Sequence, residues 1–245
     1  MKSTGYRSRI YKNYMSVGQK PLAPATVKEL MPRAPILRKI IRAFFPPNHD
    51  ANILDLGCGH GAFIYFIREA GYVNVTGIDG SPEQVDEARR HGIEGVVQGD
   101  LMDTLGAKSD SSQDVIISFD VLEHFTKDEL LIIVDEVFRV LRKGGCWIIH
   151  TANGEAPFIG RIRYGDFTHE MAFTRESITQ LLKSSGFTEV ICQEDTPIPH
   201  GIKSGIRWVL WKFIRAGLRF YLAVETGAGE AESIFSQNFL AVAAK

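Results

Sequence analysis

Residues 52–61 read NILDLGCGHG. Gly57, Gly59 and Gly61 alternate directly after a short apolar run, and Asp55 stands two residues ahead of the first of them. Glycines at a strand-to-helix turn let the backbone approach a ligand closely. Gly57, Gly59 and Ala62 fit the dinucleotide pattern G-x-G-x-x-G/A, so a nicotinamide or flavin cofactor is one reading. Asp55 argues for another. A pyrophosphate gains nothing from a carboxylate at this turn, whereas a ligand that is cationic there gains Coulomb energy. A second acid, Asp79, closes the next apolar run, where a carboxylate can accept hydrogen bonds from both hydroxyls of an adenosine ribose. S-adenosylmethionine satisfies both requirements, because it joins an adenosine to an ammonium and a sulfonium and carries no phosphate. Asp100, at the end of a third run, is placed to meet an adenine amino group, and FDVLEH follows a fourth.

These residues need strands that end together and helices that start beside them. From residue 52 onward, short β-rich apolar runs alternate with helical periodicity, the pattern of βαβ units and a parallel sheet. NILDL, VNVTGID, EGVVQGD, DVIISFD and CWIIHTAN read as five strands, and TEVICQE and NFLAVAA as two more at the sheet edge. FIYFIREAG reads as a helix, as does TRESITQLLKSSG. Ser81, Pro82 and Gln84 supply an N-cap, a proline at the first helical position and a capping-box partner. Thr126 and Glu129 cap TKDELLIIVDEVFRVLRKGG, whose Leu130, Ile133, Val134, Val137 and Leu141 form one apolar stripe that Gly144 and Gly145 terminate. Upstream, Leu37, Ile40, Ile41 and Phe44 recur at helical spacing and stop at Pro46 and Pro47. The expected architecture is α/β: a Rossmann-like, seven-stranded, mostly parallel sheet with helices on both faces. Residues 1–48 form a tail and helical cap, and residues 49–245 the main domain with an insertion over about 195–237.

DLGCGHG, GIDGS, QGDL, SFDVLEH and LRKGG, in this order and spacing, resemble the successive cofactor motifs of class I S-adenosylmethionine-dependent methyltransferases. The resemblance implies that Asp55, Gly57, Cys58 and Gly59 surround the methionine part of the cofactor, that Asp79 with Gly80 binds the ribose, and that Asp100 and Leu101 meet the adenine. Phe119, Asp120 and Val121 would form the pocket floor. Further downstream, TANGEAPFIGRIRYGDFTHEMAFTRESITQLLKSSGF, HGIKSGIRWVLWK and AVETG are similar to a bacterial methyltransferase group often encoded with enzymes of surface-polysaccharide synthesis. That similarity implies O-methylation of a sugar in a surface glycan or its precursor. Two alternatives stay open: a methyltransferase acting on a quinone or other small lipid, and a non-catalytic protein that binds S-adenosylmethionine.

A hydroxyl acceptor has to lose a proton, which calls for a base within hydrogen-bond reach. His124, beyond the fourth strand, and His169, in the loop RYGDFTHE, are the candidate catalytic residues. Each has an alternative duty, His124 as a cap or carbonyl partner and His169 as a brace for its loop. His150 reads as a core residue, and His200 opens the insertion. Asp120, Glu123 and His124 raise a divalent metal, but the acids are sparse and the expectation is metal-independent transfer.

Between Gly201 and Glu225 stand Lys203, Arg207, Lys212, Arg215 and Arg219 without an acid, interleaved with Trp208, Leu210, Trp211, Phe213, Ile214 and Leu218. Three readings compete: a helix packed on the domain or on a second subunit as a homodimer, a basic wall for an anionic acceptor, and a helix in peripheral contact with a membrane through 203–222. The cations argue against a spanning segment. Tyr6, Tyr11 and Tyr14, among Arg7, Arg9 and Lys12, suit either a segment that folds over the cofactor or a partly disordered tail. A net charge of -1 and 44% hydrophobic residues describe a protein with no global basic excess, so no nucleic-acid partner is expected. Three cysteines without zinc spacing fit free thiols in a reducing compartment, and the polar N-terminus lacks a secretory core. The expected location is cytoplasmic, extending to the inner face of the membrane.

Overall fold

A computed structural model describes residues 5–16, 24–227 and 233–245. Seven strands form one sheet in the order β3-β2-β1-β4-β5-β7-β6. They are β1 (Ile53–Leu56), β2 (Val75–Asp79), β3 (Val96–Gln98), β4 (Gln113–Phe119), β5 (Leu141–Ala152), β6 (Glu189–Glu194) and β7 (Asn238–Ala244). All pairings from β3 to β5 are parallel, and β7 runs antiparallel to both β5 and β6.

The helices are α1 (Tyr6–Tyr11), α2 (Ala34–Phe44), α3 (Ala62–Glu69), α4 (Pro82–Arg90), α5 (Leu101–Ala107), α6 (Lys127–Val140), α7 (Ile159–Arg163), α8 (Arg175–Ser184) and α9 (Ile202–Thr226). Alternation along the central strands explains why both faces are covered. Leu54, Leu56 and Ile116 join Ile133 and Val137 of α6 and Ile178 of α8, whereas Ile53, Val115 and Ile117 join Ile40 of α2 and Ile64 and Ile67 of α3. A strand buried on both faces has no polar side to show, hence the continuous apolar runs. The sheet order reverses between β1 and β4, so the crevice at their carboxyl ends is where such a sheet binds ligands.

Three local expectations need correction. The capping box of α6 forms, with Glu129 N–H donating to Thr126 and Thr126 N–H to Glu129, but the helix stops at Val140. Leu141 is already extended and pairs with Gln113, while the next pair is Val115 with Cys146. Gly144 and Gly145 therefore serve a bulge in β5 rather than a helix terminus. A Cβ at Gly145 would lie 2.8 Å from the Asp114 carbonyl oxygen, which explains the glycine there. Ser81 does cap α4, accepting from Gln84 N–H at 3.4 Å, but Gln84 does not reach back. Its Oε1 instead lies 3.3 Å from His60 Nδ1, and Asp79 Oδ1 accepts the Ser81 N–H. Helices α5 and α7 are too short to carry a periodic signal in the sequence; α5 starts where Asp100 Oδ1 accepts from the N–H groups of Met102 and Asp103.

Candidate active site

The glycine turn after β1 is built on left-handed backbone. Gly57 has φ +70, and a Cβ there would approach Val121 Cγ2 to 2.5 Å, so glycine is required both by conformation and by the close approach of the β4 loop. Asp79, at the end of β2, holds this turn in place: its Oδ2 accepts from Gly59 N–H at 2.8 Å and its Oδ1 from Ser81 N–H at 2.8 Å. Burial nevertheless raises its pKa, against those two hydrogen bonds. Asp55 is fully buried, and its Oδ1 has no hydrogen-bond partner among the described residues. Burial and the neighbouring Asp79 push its pKa well above the usual carboxylate range. An unpaired carboxylate in that position is costly unless a cation joins it.

These groups line one cleft of about 1160 Å³. Asp55, Gly57, Cys58, Gly59, Asp79, Gly80, Asp100, Leu101, Phe119, Asp120 and Val121 all face it, as does His124; His169 does not. Asp100 combines this position with capping α5. Asp120 has φ +59, unusual for a residue with a side chain, and its Oδ1 lies 2.7 Å from His150 Nδ1. His150 is buried between Asp120 and Asp195 and stacks on Phe119 with ring centroids 4.0 Å apart. Burial alone would depress its pKa; the two carboxylates hold the imidazolium and raise it to about 10.

Asp120, Glu123 and His124 turn to three different partners. Glu123 is buried and accepts from Thr151 Oγ1 at 2.9 Å; burial and Asp120 raise its pKa to about 8, so it is mostly a neutral acid at pH 7. His124 Nδ1 lies 2.8 Å from Thr168 Oγ1, and Thr168 in turn donates to Asp166 Oδ1 at 2.6 Å. Because the single hydroxyl proton of Thr168 goes to Asp166, its oxygen accepts from His124. That fixes the tautomer with the proton on Nδ1 and the lone pair on Nε2. Burial first, and His169 second, lower the His124 pKa to about 4, so the ring is neutral at pH 7. His169 packs edge-on against His124 at 4.6 Å and its Nδ1 lies 2.9 Å from the Ile162 carbonyl, which its N–H can reach. Arg163 donates to the carbonyls of His169 and Glu170 and holds the same loop. His200 lies outside the cleft.

The N-terminal segment lies along this cleft. Tyr6, Arg7, Tyr11, Lys12 and Tyr14 line it. Arg7 makes a two-pronged pair with Glu129 at 2.9 and 2.6 Å, Tyr6 donates to Glu170, and Tyr14 donates to Asp166 Oδ2 at 2.5 Å. Sequence reasoning singled out these tyrosines but not their partners. Asp166 and Thr168 were also missed as supports of His124, although D-x-T two residues apart is a signal for a local side-chain-to-backbone turn, here Thr168 N–H to Asp166 Oδ1 at 2.8 Å.

Among solved structures the chain resembles an S-adenosylmethionine-dependent methyltransferase from Archaeoglobus fulgidus, at 18% identity and a TM-score of 0.65 over 98% of this chain and 100% of that one. A phosphoethanolamine N-methyltransferase from Haemonchus contortus, in complex with S-adenosylmethionine, matches at 16% identity and a TM-score of 0.59, over 99% of this chain and 58% of the other. The fold is that of S-adenosylmethionine-dependent methyltransferases. Within this methyltransferase fold, residues 53–145 match the family described as "Methyltransferase domain". Curated relatives include a ubiquinone biosynthesis O-methyltransferase of Xanthomonas oryzae, 35% identical over 42% of this chain and 44% of its own length. A probable S-adenosylmethionine-dependent methyltransferase of Mycolicibacterium smegmatis is 30% identical over 56% of this chain and 51% of its own. The chain thus spans about half the length of the curated relatives it matches.

Proposed function

We propose that the protein transfers a methyl group from S-adenosylmethionine to an acceptor oxygen. The observation that carries this reading is the buried Asp55 beside the glycine turn, whose Oδ1 has no hydrogen-bond partner among the described residues. A pyrophosphate there would add negative charge to Asp55 and Asp79, whereas an ammonium supplies the missing partner. Asp55 with Gly57 and Gly59 would hold the methionine part, Asp79 the ribose, and Asp100 with Leu101 the adenine. What the cofactor supplies when bound is an electrophilic methyl on a cationic sulfur. The chain excludes water from the crevice, orients the acceptor and takes its proton on His124 Nε2, which burial keeps unprotonated and the Thr168–Asp166 relay leaves as the lone-pair nitrogen.

For the acceptor, the similarity of the downstream sequence favours a hydroxyl of a sugar in a glycan or glycan precursor. A second reading, a hydroxyl on a quinone-type ring, draws support from Tyr6, Tyr11, Phe63 and Phe125 in the cleft wall and from the name of the Xanthomonas relative. Transfer of labelled methyl into a fractionated cell extract separates them. Label in glycolipid, polysaccharide or nucleotide-sugar supports the sugar, label confined to quinones or other lipids the ring. Cofactor binding without label in any fraction would leave a binding protein.

The N-terminal segment closes over the cofactor in this reading. Arg7→Ala removes a largely shielded ion pair worth about 1 kcal/mol, so the cofactor Kd is expected to rise roughly fivefold, chiefly through faster release. Stopped-flow release showing an unchanged off-rate would retire the closure.

A further inference from the structure

Helix α9 spans 25 residues, a length of roughly 37 Å, yet only Ser204 along it is buried. The face toward the domain carries the buried Ser204 with the half-buried Trp208, Trp211, Arg215, Leu218, Arg219 and Leu222. Arg215 pins it: Nε lies 2.8 Å from Glu194 Oε2 on the edge strand β6, and the other Glu194 oxygen accepts from Phe235 N–H at 2.8 Å. With that face fixed, the opposite one is forced outward. Ile202, Ile206, Val209, Phe213, Phe220 and Val224 recur at helical spacing along it, and Ile202, Phe213, Phe220 and Val224 are 86%, 73%, 72% and 70% exposed. Scattered exposed apolar residues need no explanation, but a continuous stripe of this length does.

The charges around the stripe indicate what covers it. Residues 202–224 hold five Lys and Arg and no Asp or Glu, in a chain whose overall net charge is -1. Arg215 is committed to Glu194, while Lys203 and Arg207 flank the stripe on one side and Lys212, over the Trp208 ring at 3.7 Å, on the other. A second copy laid against this face would bring cations against cations along most of its length, Glu225 at the helix end being the one carboxylate of α9. A surface of anionic lipid headgroups supplies the countercharge and, just beneath, the apolar layer that the stripe requires. No helix among the described residues is long and apolar enough to cross a membrane, so α9 would lie in the interface plane.

We infer that α9 is a membrane-docking helix that seats the protein on anionic bilayers, with Phe213 and Phe220 inserted and Lys203, Arg207 and Lys212 at the headgroups. The inference stands on α9 alone and is independent of the acceptor.

The test is flotation of the full chain with vesicles of phosphatidylcholine, with and without phosphatidylglycerol, at low and high salt. Binding is expected only to vesicles with phosphatidylglycerol and is expected to weaken as salt rises. Each cation near the surface contributes roughly fivefold, so the triple charge reversal Lys203→Glu, Arg207→Glu, Lys212→Glu should weaken binding at least about 100-fold. Phe213→Ser with Phe220→Ser should abolish it. All five side chains are exposed, so an unchanged melting temperature assigns the loss to the surface rather than to folding. Absence of binding at low salt, or binding indifferent to both variants, overturns the inference. So does sedimentation showing a dimer that the two phenylalanine substitutions convert to monomer, which would make the occupant a second copy.

Discussion

Asp55→Asn is expected to weaken S-adenosylmethionine binding by at least about thirtyfold while making the ligand-free protein more stable. Both effects come from one fact: the carboxylate is buried, its Oδ1 has no partner among the described residues, and Asp79 adds like charge. With ligand present, an ammonium balances Asp55. Without it, the folded state must either hold an uncompensated charge or take up a proton that the unfolded chain releases, and both cost stability at neutral pH. Relieving that charge should contribute about 1 to 3 kcal/mol, a rise in Tm of roughly 2 to 10 °C for a chain of this size. The pH dependence has a definite sign. The folded pKa of Asp55 is raised, so between the unfolded and folded pKa values the native state binds more protons than the unfolded one. The contribution of Asp55 to stability is therefore full below the unfolded value and is lost as pH rises through the folded value. Calorimetry of the ligand-free protein from acid to neutral pH should show this decline, and Asp55→Asn should flatten it. Titration with S-adenosylhomocysteine, which keeps the ammonium and lacks the sulfonium charge, identifies the partner: equal loss for both ligands assigns Asp55 to the ammonium. Unchanged affinity for both would remove Asp55 from recognition.

The residues of that prediction were legible in the sequence because they obey local rules. β1 and β4 announce themselves as apolar runs, since strands covered on both faces have no polar alternation to confuse the reading. Of the acids that face the cleft, Asp79, Asp100 and Asp120 sit at or just after strand ends, where the type of fold already says ligands bind. What failed depended on longer-range packing. The apolar stripe of α6 extends in phase to Leu141, so periodicity could not reveal that Leu141 leaves the helix to pair with Gln113. Helix α5 is short and contains Gly106, and its main local signal is the cap at Asp100. The 203–222 segment was readable as an amphipathic helix, but not which side faces outward. That depends on Arg215 meeting Glu194, 21 positions earlier. The supports of His124 are hidden for the same reason, with Thr168 lying 44 residues away.

His124→Ala is expected to lower turnover about 100- to 10,000-fold and leave cofactor affinity unchanged, if His124 Nε2 takes the acceptor proton. The relay makes a finer prediction. Thr168→Val keeps the shape of the side chain but removes the oxygen that accepts from Nδ1, so the ring is free to protonate either nitrogen. A fall of about tenfold in kcat, with acceptor KM little changed, is the expected result of losing the correct tautomer rather than the base itself. The His124 pKa of about 4 gives the direction of the pH profile. Neutral imidazole is the active form, so kcat/KM for the acceptor should be flat from about pH 5.5 to 8 and decline only as pH falls toward the pKa. A limb with a midpoint near 6.5, the ordinary value for histidine, would mean that the base is a less buried group. His169 is the internal comparison, because its Nδ1 is within reach of the Ile162 carbonyl and its ring packs edge-on against His124. As a brace rather than a base, it should lose less on replacement by alanine than His124 does. Turnover equal to wild type in both variants would reject both histidines. Loss in His169→Ala alone would move the base to His169 and leave the relay through Thr168 and Asp166 as a support for the loop.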